Sequence, residues 1–96
     1  MEAKKIDYEL LPELVTDLPV GIPGMTAKLI ERTNSKAIYW RWDDVWEVFR
    51  IKIRNEEEIN GHHYPKREVY PGNEDFGSIA WAYKDEKLAR KRYGVL

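Results

Sequence analysis

His62 and His63 are the only histidines of the chain, and Asp43-Asp44 and Glu56-Glu57-Glu58 are dense carboxylate clusters, so general acid–base chemistry would fall to these residues. Such chemistry needs a cleft that raises a carboxylate pKa, whereas tight turns are normally solvated. The histidine pair cannot close on one ion, because neighbouring residues of a strand point to opposite faces, and one histidine with Glu58 leaves a metal short of ligands. Ser35 and Ser78 lie in no nucleophile elbow. Gly72 and Gly77 have the glycine spacing of a phosphate loop, but no Lys-Ser/Thr follows, and Glu74 and Asp75 put negative charge where phosphate would sit. Cysteine is absent, which excludes disulfides, thiolate metal sites and cysteine nucleophiles. These residues predict no catalytic, metal or cofactor site, with a small enzyme built on Asp43, Asp44, His62 or His63 as the least favoured alternative.

Binding chemistry is better represented. Arg50, Lys52 and Arg54 alternate with Phe49, Ile51 and Ile53, so a period of two places three cations on one sheet face and the apolar side chains on the other. With Trp40, Trp42 and Trp46 nearby, that stripe would set stacking rings beside phosphate-binding cations, as in binders of single-stranded nucleic acid. The competing reading is a solvated face neutralised by Glu56, Glu57, Glu58 or Glu68 on neighbouring strands, with the indoles in the core. Lys84 to Arg92 carries five cations, Lys87 and Lys91 among them, against two acids, Asp85 and Glu86. Acids at a helix start and bases at its end suit the helix dipole, so this segment has a structural explanation as well as a binding one.

The elements that would position these residues are mostly strands. Residues 26–32 and 37–42 predict a hairpin around Thr33-Asn34-Ser35-Lys36, and a turn at Asp43-Asp44 returns the chain as a third strand over 46–54. A three-residue loop pairing Trp42 with Trp46 and Arg41 with Glu47 is chemically attractive but puts Val45 where a left-handed residue is preferred, which leaves the register open. Asn60-Gly61 predicts a type I′ turn that brings 62–70 back against the third strand, with Pro65 marking a sheet edge. Residues 77–83 fit both periods, and a strand is favoured because Asp85 suits the N-cap of a following helix with Leu88, Ala89, Tyr93 and Leu96 as its apolar stripe. Pro12 at a first helical position, with Leu11, Leu14, Val15 and Leu18 at helical spacing, predicts a short N-terminal helix stopped at Pro19. The expected fold is α+β: an antiparallel four- to five-stranded meander sheet packed by the C-terminal helix. One domain spans 1–96, with 1–24 as N-terminal segment and loop, 25–83 as sheet and 84–96 as helix.

A chain of 96 residues buries roughly 60–65% of its extended surface, leaving little mass for an elaborate site. Sixteen basic against seventeen acidic residues give a net charge of -1, so attraction to nucleic acid or anionic lipid would need a local patch. The start of the chain is charged and no long apolar run occurs, which predicts a cytoplasmic protein with no membrane contact.

Residues 64–77, Ala80-Trp81-Ala82-Tyr83 and Trp46-Glu47-Val48-Phe49 resemble a small family of bacterial proteins common in prophages and mobile elements, a likeness that covers the C-terminal half and implies no activity. The final strand and capped helix are distantly similar to Trp-Gly-Arg nucleic-acid-binding domains, but Phe76-Gly77-Ser78 stands where that family has its signature, so DNA binding is not carried over. The expectation is a non-enzymatic interaction module binding a protein partner or itself through an aromatic-rich sheet surface or edge strand. The candidate surface comprises Trp40, Trp42, Trp46, Arg50, Lys52, Arg54, Lys87 and Lys91, with nucleic-acid binding as the alternative and no small-molecule cofactor.

Overall fold

The computed structural model describes residues 8–16 and 26–96. Strands β1 (Leu14–Val15), β2 (Ala27–Arg32), β3 (Lys36–Arg41), β4 (Trp46–Arg50) and β9 (Ala80–Tyr83) form one antiparallel sheet in the order β1-β2-β3-β4-β9. Between β4 and β9 the chain makes a two-stranded ribbon in two pieces. Its base pairs β5 (Lys52–Arg54) with β8 (Arg67–Val69), and its tip pairs β6 (Glu57–Ile59) with β7 (His62–Tyr64). Helix α1 (Glu86–Val95) ends the fold, as the α+β expectation required.

The central strands are buried on both faces. Ile38 and Val48 pair across β3 and β4 and pack against Ala89 and Tyr93 of α1, defining a helix face. Their neighbours Tyr39, Ala37 and Phe49 point the other way, to a ribbon face covered by Leu11, Val15, Ile51, Tyr70 and Phe76. The Tyr39, Phe49 and Tyr70 rings pack with centroids 5.1–5.7 Å apart, and the Tyr39 hydroxyl donates to the Pro12 carbonyl at 2.7 Å.

The N-terminal helix is not found. Residues 9–11 run beside β8, and Leu14–Val15 adds an edge strand to β2. The helical spacing of Leu11, Leu14 and Val15 is overridden by pairing: the Glu13 carbonyl accepts from the Leu29 N–H at 2.7 Å, and Val15 is buried over Ala27. Leu18 and Pro19 lie outside the described residues.

The local turns follow their chemistry. At the β3–β4 hairpin the loop is Trp42-Asp43-Asp44, closed by Arg41 and Val45, and Asp44 takes the left-handed conformation at φ 60. A carboxamide or carboxylate side chain tolerates that region and a β-branched one does not, so Val45 stays extended and Trp46 pairs with Trp40 instead of Trp42. Asn60 and Gly61, at φ 51 and 80, make the predicted turn between β6 and β7. The Asp85 side chain accepts from the Lys87 N–H at 2.8 Å, which makes it the N-cap of α1 as predicted.

A bulge between Leu29 and Glu31 resets which side each later residue of β2 faces. Without it Arg32 would point to the helix face. With it, Arg32 shares the ribbon face with Ala37 and donates to both oxygens of Glu68 on β8, at 2.7 and 2.8 Å. The Glu68 side chain is fully buried and also accepts from the Leu11 N–H at 2.9 Å, so one carboxylate joins the sheet, the ribbon and the N-terminal segment. Burial alone would raise the Glu68 pKa. The two bonds from Arg32 and the one from Leu11 outweigh it and hold the carboxyl below its ordinary value.

Arg32→Ala should lower the free energy of unfolding by about 3 kcal/mol, because it leaves a buried carboxylate without its counter-charge. Denaturant titration reads the loss. Because Glu68 is depressed in the folded state, its contribution is complete above the ordinary glutamate pKa and disappears as pH falls through the folded value. Arg32→Ala should remove that acid-side decline. On the other face, the buried Tyr93 hydroxyl has no hydrogen-bond partner among the described residues. Tyr93→Phe should therefore raise stability by about 1 kcal/mol in the same titration.

Candidate functional site

On the ribbon face, strand alternation places Glu47 beside Phe49, under Tyr70. Glu47 is 4% exposed and accepts from the Tyr70 hydroxyl at 2.5 Å, while its second oxygen lies 3.5 Å from the Arg41 guanidinium. Arg41 also forks onto Asp43, with Nε 2.9 Å from Oδ1. Burial pushes the Glu47 carboxyl up, and the bonds from Tyr70 and Arg41 pull it partly back. Burial, with the neighbouring Glu47 charge, drives the Tyr70 phenol far above its ordinary value, whereas the bond from Arg41 lowers Asp43. Both Glu47 oxygens are engaged, so the set tunes the pH dependence of folding and presents no free acid–base group.

The helix face offers a surface. Cross-strand pairing sets Trp40, Trp46 and Tyr83 in one row across β3, β4 and β9. The indoles of Trp40 and Trp46 lie 6.1 Å apart. Trp46 is half-buried against the Ile38–Val48 core, while Trp40 keeps more of its surface in solvent. Tyr83 continues the row into an open groove of about 340 Å³ between β9 and α1, lined by Tyr83, Leu88, Lys91, Arg92 and Val95. Leu88 is 52% exposed and Val95 71% exposed, although Ala89 and Tyr93 of the same helix are buried. Arg92 is fixed by its stack over Trp81, at 4.5 Å, and its 3.0 Å bond to the Tyr83 hydroxyl. Lys36 donates to the Tyr93 carbonyl at 2.8 Å and anchors the end of α1 to β3.

The residues singled out from sequence are dispersed. Trp40 and Trp46 meet, but Trp42 sits at the tip of the β3–β4 hairpin, 52% exposed. The basic stripe does not form one face, because the chain leaves the main sheet after Arg50. Arg50 lies on the helix face opposite Lys36, while Lys52 turns to Asp75 at 3.5 Å and Arg54 to Glu57 at 3.9 Å on the ribbon. Acidic neighbours do neutralise part of the stripe, although Asp75 was not among the partners expected. Lys91 lines the groove, and Lys87 is an exposed residue of the same helix.

Asp43 and Asp44 occupy one hairpin loop and His62 and His63 another strand, so they do not converge; Asp43 pairs with Arg41, and His63 lies 3.6 Å from Glu56. Among the described residues no three histidine or acidic side chains are grouped to hold a metal ion. The glycine pair at 72 and 77 brackets a short turn in which the Asp75 carboxylate accepts the Gly72 N–H at 2.9 Å, filling the place a phosphate would take. No helix among the described residues is long and apolar enough to cross a membrane.

Two features were missed. Glu47 was legible, since period two puts it on the face of Phe49. The groove was not, because Leu88 belongs to the same helical spacing as Ala89 and Tyr93, and only the seating of the helix separates them.

No family model, curated protein or solved structure matches this chain. The reading of its surfaces therefore rests on their chemistry.

Glu47→Gln should change the pH dependence of stability in a defined direction. A carboxyl whose folded pKa is raised contributes stability below the unfolded value near 4.5, and loses it as pH rises through the folded value. The amide cannot ionise, so the variant should gain on the native protein as pH rises from about 4.5 towards neutrality. Denaturation series across that range measure the slope.

Proposed function

We propose that this protein is a protein-interaction module whose binding surface is the helix face at β9: the Trp40–Trp46–Tyr83 row and the outer flank of α1. The observation that carries this reading is the exposure of Leu88 and Val95 beside Tyr83, around a groove, on a helix whose other apolar side chains are buried. Apolar side chains grouped outside the core, next to aromatic rings and an immobilised arginine, are the composition of interaction hot spots. A cytoplasmic, non-enzymatic accessory role is part of this proposal, supported by the separation of the Asp43-Asp44 loop from the His62-His63 strand. Nucleic-acid binding has weaker support, because Lys52 and Arg54 face acids on the ribbon and the three strand cations do not line up.

A photocrosslinking amino acid placed at Leu88 or Val95 should give discrete protein adducts in the cell of origin, and one placed at Lys66 on the ribbon should not. Adducts to the protein itself would identify the binding as homodimerisation. Equal labelling from all three positions would refute a helix-face site. Quenching of the exposed Trp40 and Trp42 by acrylamide should be unchanged by single-stranded DNA or RNA at low salt; protection there would favour the nucleic-acid reading.

A further inference from the structure

Strand β9 is an edge of the main sheet, and its hydrogen-bonding phase can be read from one bond. The Arg50 N–H donates to the Ile79 carbonyl at 2.9 Å, with Phe49 opposite Ala80 and Val48 opposite Trp81. In an antiparallel ladder this turns the main-chain groups of Trp81 and Tyr83 into β4 and those of Ala80 and Ala82 outward. The Ala80 carbonyl is taken by the Gly77 N–H at 2.8 Å. Ala82 is left with an outward N–H and C=O that have no backbone partner among the described residues, and its side chain is a methyl group.

The groove lies beside this open edge. A further strand laid along β9 would extend the sheet beyond it, with every second side chain turned to the helix side, towards Tyr83, Leu88 and Val95. The charge there has one sign. Lys91 and Arg92 line the groove and no acid does. Lys91 makes no ion pair among the described residues, whereas Glu86 is held by Arg90 at 2.9 Å and Asp85 caps the helix.

We infer that the groove between β9 and α1 receives an extended acidic–apolar peptide segment of a protein partner, which adds a strand to β9 at Ala82, buries an apolar side chain against Tyr83, Leu88 and Val95, and sets a carboxylate two residues away against Lys91 and Arg92. The inference rests on the helix-face reading above and gives it a partner chemistry. Main-chain pairing supplies affinity and the alternate side chains supply selectivity, as in strand addition generally. A second copy of this chain is disfavoured, because antiparallel pairing of two β9 edges about a two-fold axis perpendicular to the sheet would set the two cation-lined grooves on the same side, with no acid in the lining of either to answer them. Single-stranded nucleic acid would satisfy the cations, but it leaves the Ala82 amide and carbonyl unpaired and meets aliphatic Leu88 and Val95 where flat stacking rings would serve it.

The test is selection of short random peptides displayed on phage against the full-length protein, followed by synthesis of an enriched sequence. Enrichment of peptides with an aliphatic or aromatic residue two positions from Asp or Glu is expected, and binding should shift the amide resonances of Ala82 and Lys84. Lys91→Glu should weaken the peptide roughly tenfold or more, and a peptide with Lys in place of its acid should regain binding to that variant. N-methylation of the peptide amides that face β9 should abolish binding. Both Leu88 and Lys91 are exposed, so their variants should keep the native circular dichroism spectrum.

If Leu88→Asp abolishes binding while Lys91→Glu and N-methylation leave it unchanged, the helix face binds protein but the extended acidic segment is refuted. If no peptide is enriched, the extended-segment inference fails and photocrosslinking at Leu88 and Val95 alone decides the helix-face reading; if a peptide is enriched but Leu88→Asp has no effect on it, both readings fail. Dimerisation abolished by Leu88→Asp, or an oligonucleotide bound in the groove where no peptide is, would overturn the inference in favour of those occupants.

Discussion

Two adjacent residues on each of two paired strands are withdrawn completely from water, Ile38 and Tyr39 on β3 and Val48 and Phe49 on β4. Consecutive strand residues point to opposite faces, so neither face of the sheet centre can be left to solvent. Burial of one such side chain stabilises by about 1.5–3 kcal/mol, and no single layer of chain can collect all four. Two covers are therefore obligatory. Helix α1 supplies one with Ala89 and Tyr93. The other is assembled from residues 11–15, Tyr70 and Phe76, which lie far apart in sequence.

A cover assembled from separate segments brings polar backbone and ionisable groups to the sheet, and each needs a partner. The Pro12 carbonyl accepts from the Tyr39 hydroxyl, the Leu11 N–H donates to Glu68, and Glu68 in turn needs Arg32. The bulge in β2 makes this last contact available. By placing Glu31 on the helix face and Arg32 on the ribbon face, it aims Glu31 towards Arg90 of α1, at 3.8 Å, and Arg32 at Glu68. One inserted residue thus connects the sheet by charge to both of its covers. Of these pairs the exposed Glu31–Arg90 contributes little to stability, and the buried Arg32–Glu68 determines which segments stay together.

The elements that local chemistry dictates were legible from sequence. Asn60-Gly61 turned, Asp85 capped, and the Asp43-Asp44 turn took its left-handed residue at the position that avoids Val45. Strands β2 and β3 lie close to the bounds expected at 26–32 and 37–42, whereas the strand expected at 46–54 is broken at Ile51 and the one expected at 77–83 begins only at Ala80, after a turn with Gly77 at φ 94. What failed were inferences that extend a period across a break. The alternation of Phe49 to Arg54 continues unbroken in the residues, but pairing changes at Ile51, where the chain exchanges β3 and β9 for β8, so cations of one period no longer share a partner surface. The spacing of Leu11, Leu14 and Val15 is equally compatible with a helix, and only the neighbouring β2 edge decides for a strand. In each case a non-local partner overrode a local pattern. The candidate surface shows the same division: Trp40 and Trp46 belong together through their register, while the groove depends on how α1 is seated.

That seating also explains why the groove exists. Ala89 and Tyr93 are one turn apart and fix the face that α1 turns to the sheet, and Lys36 holds its last turn to β3 through the Tyr93 carbonyl. Leu88 and Val95 are then necessarily rotated outward, towards the β9 edge. Nothing in the core requires them to be apolar. Charged residues at both positions would preserve the contacts of Ala89 and Tyr93 and replace the apolar flank of the groove with charge. The fold therefore accounts for where these side chains are but not for their chemical type. Among the described residues, Leu88 and Val95 are an apolar pair outside both covers, beside the outward backbone of Ala82 and two groove cations, and the packing of the core does not account for their chemical type.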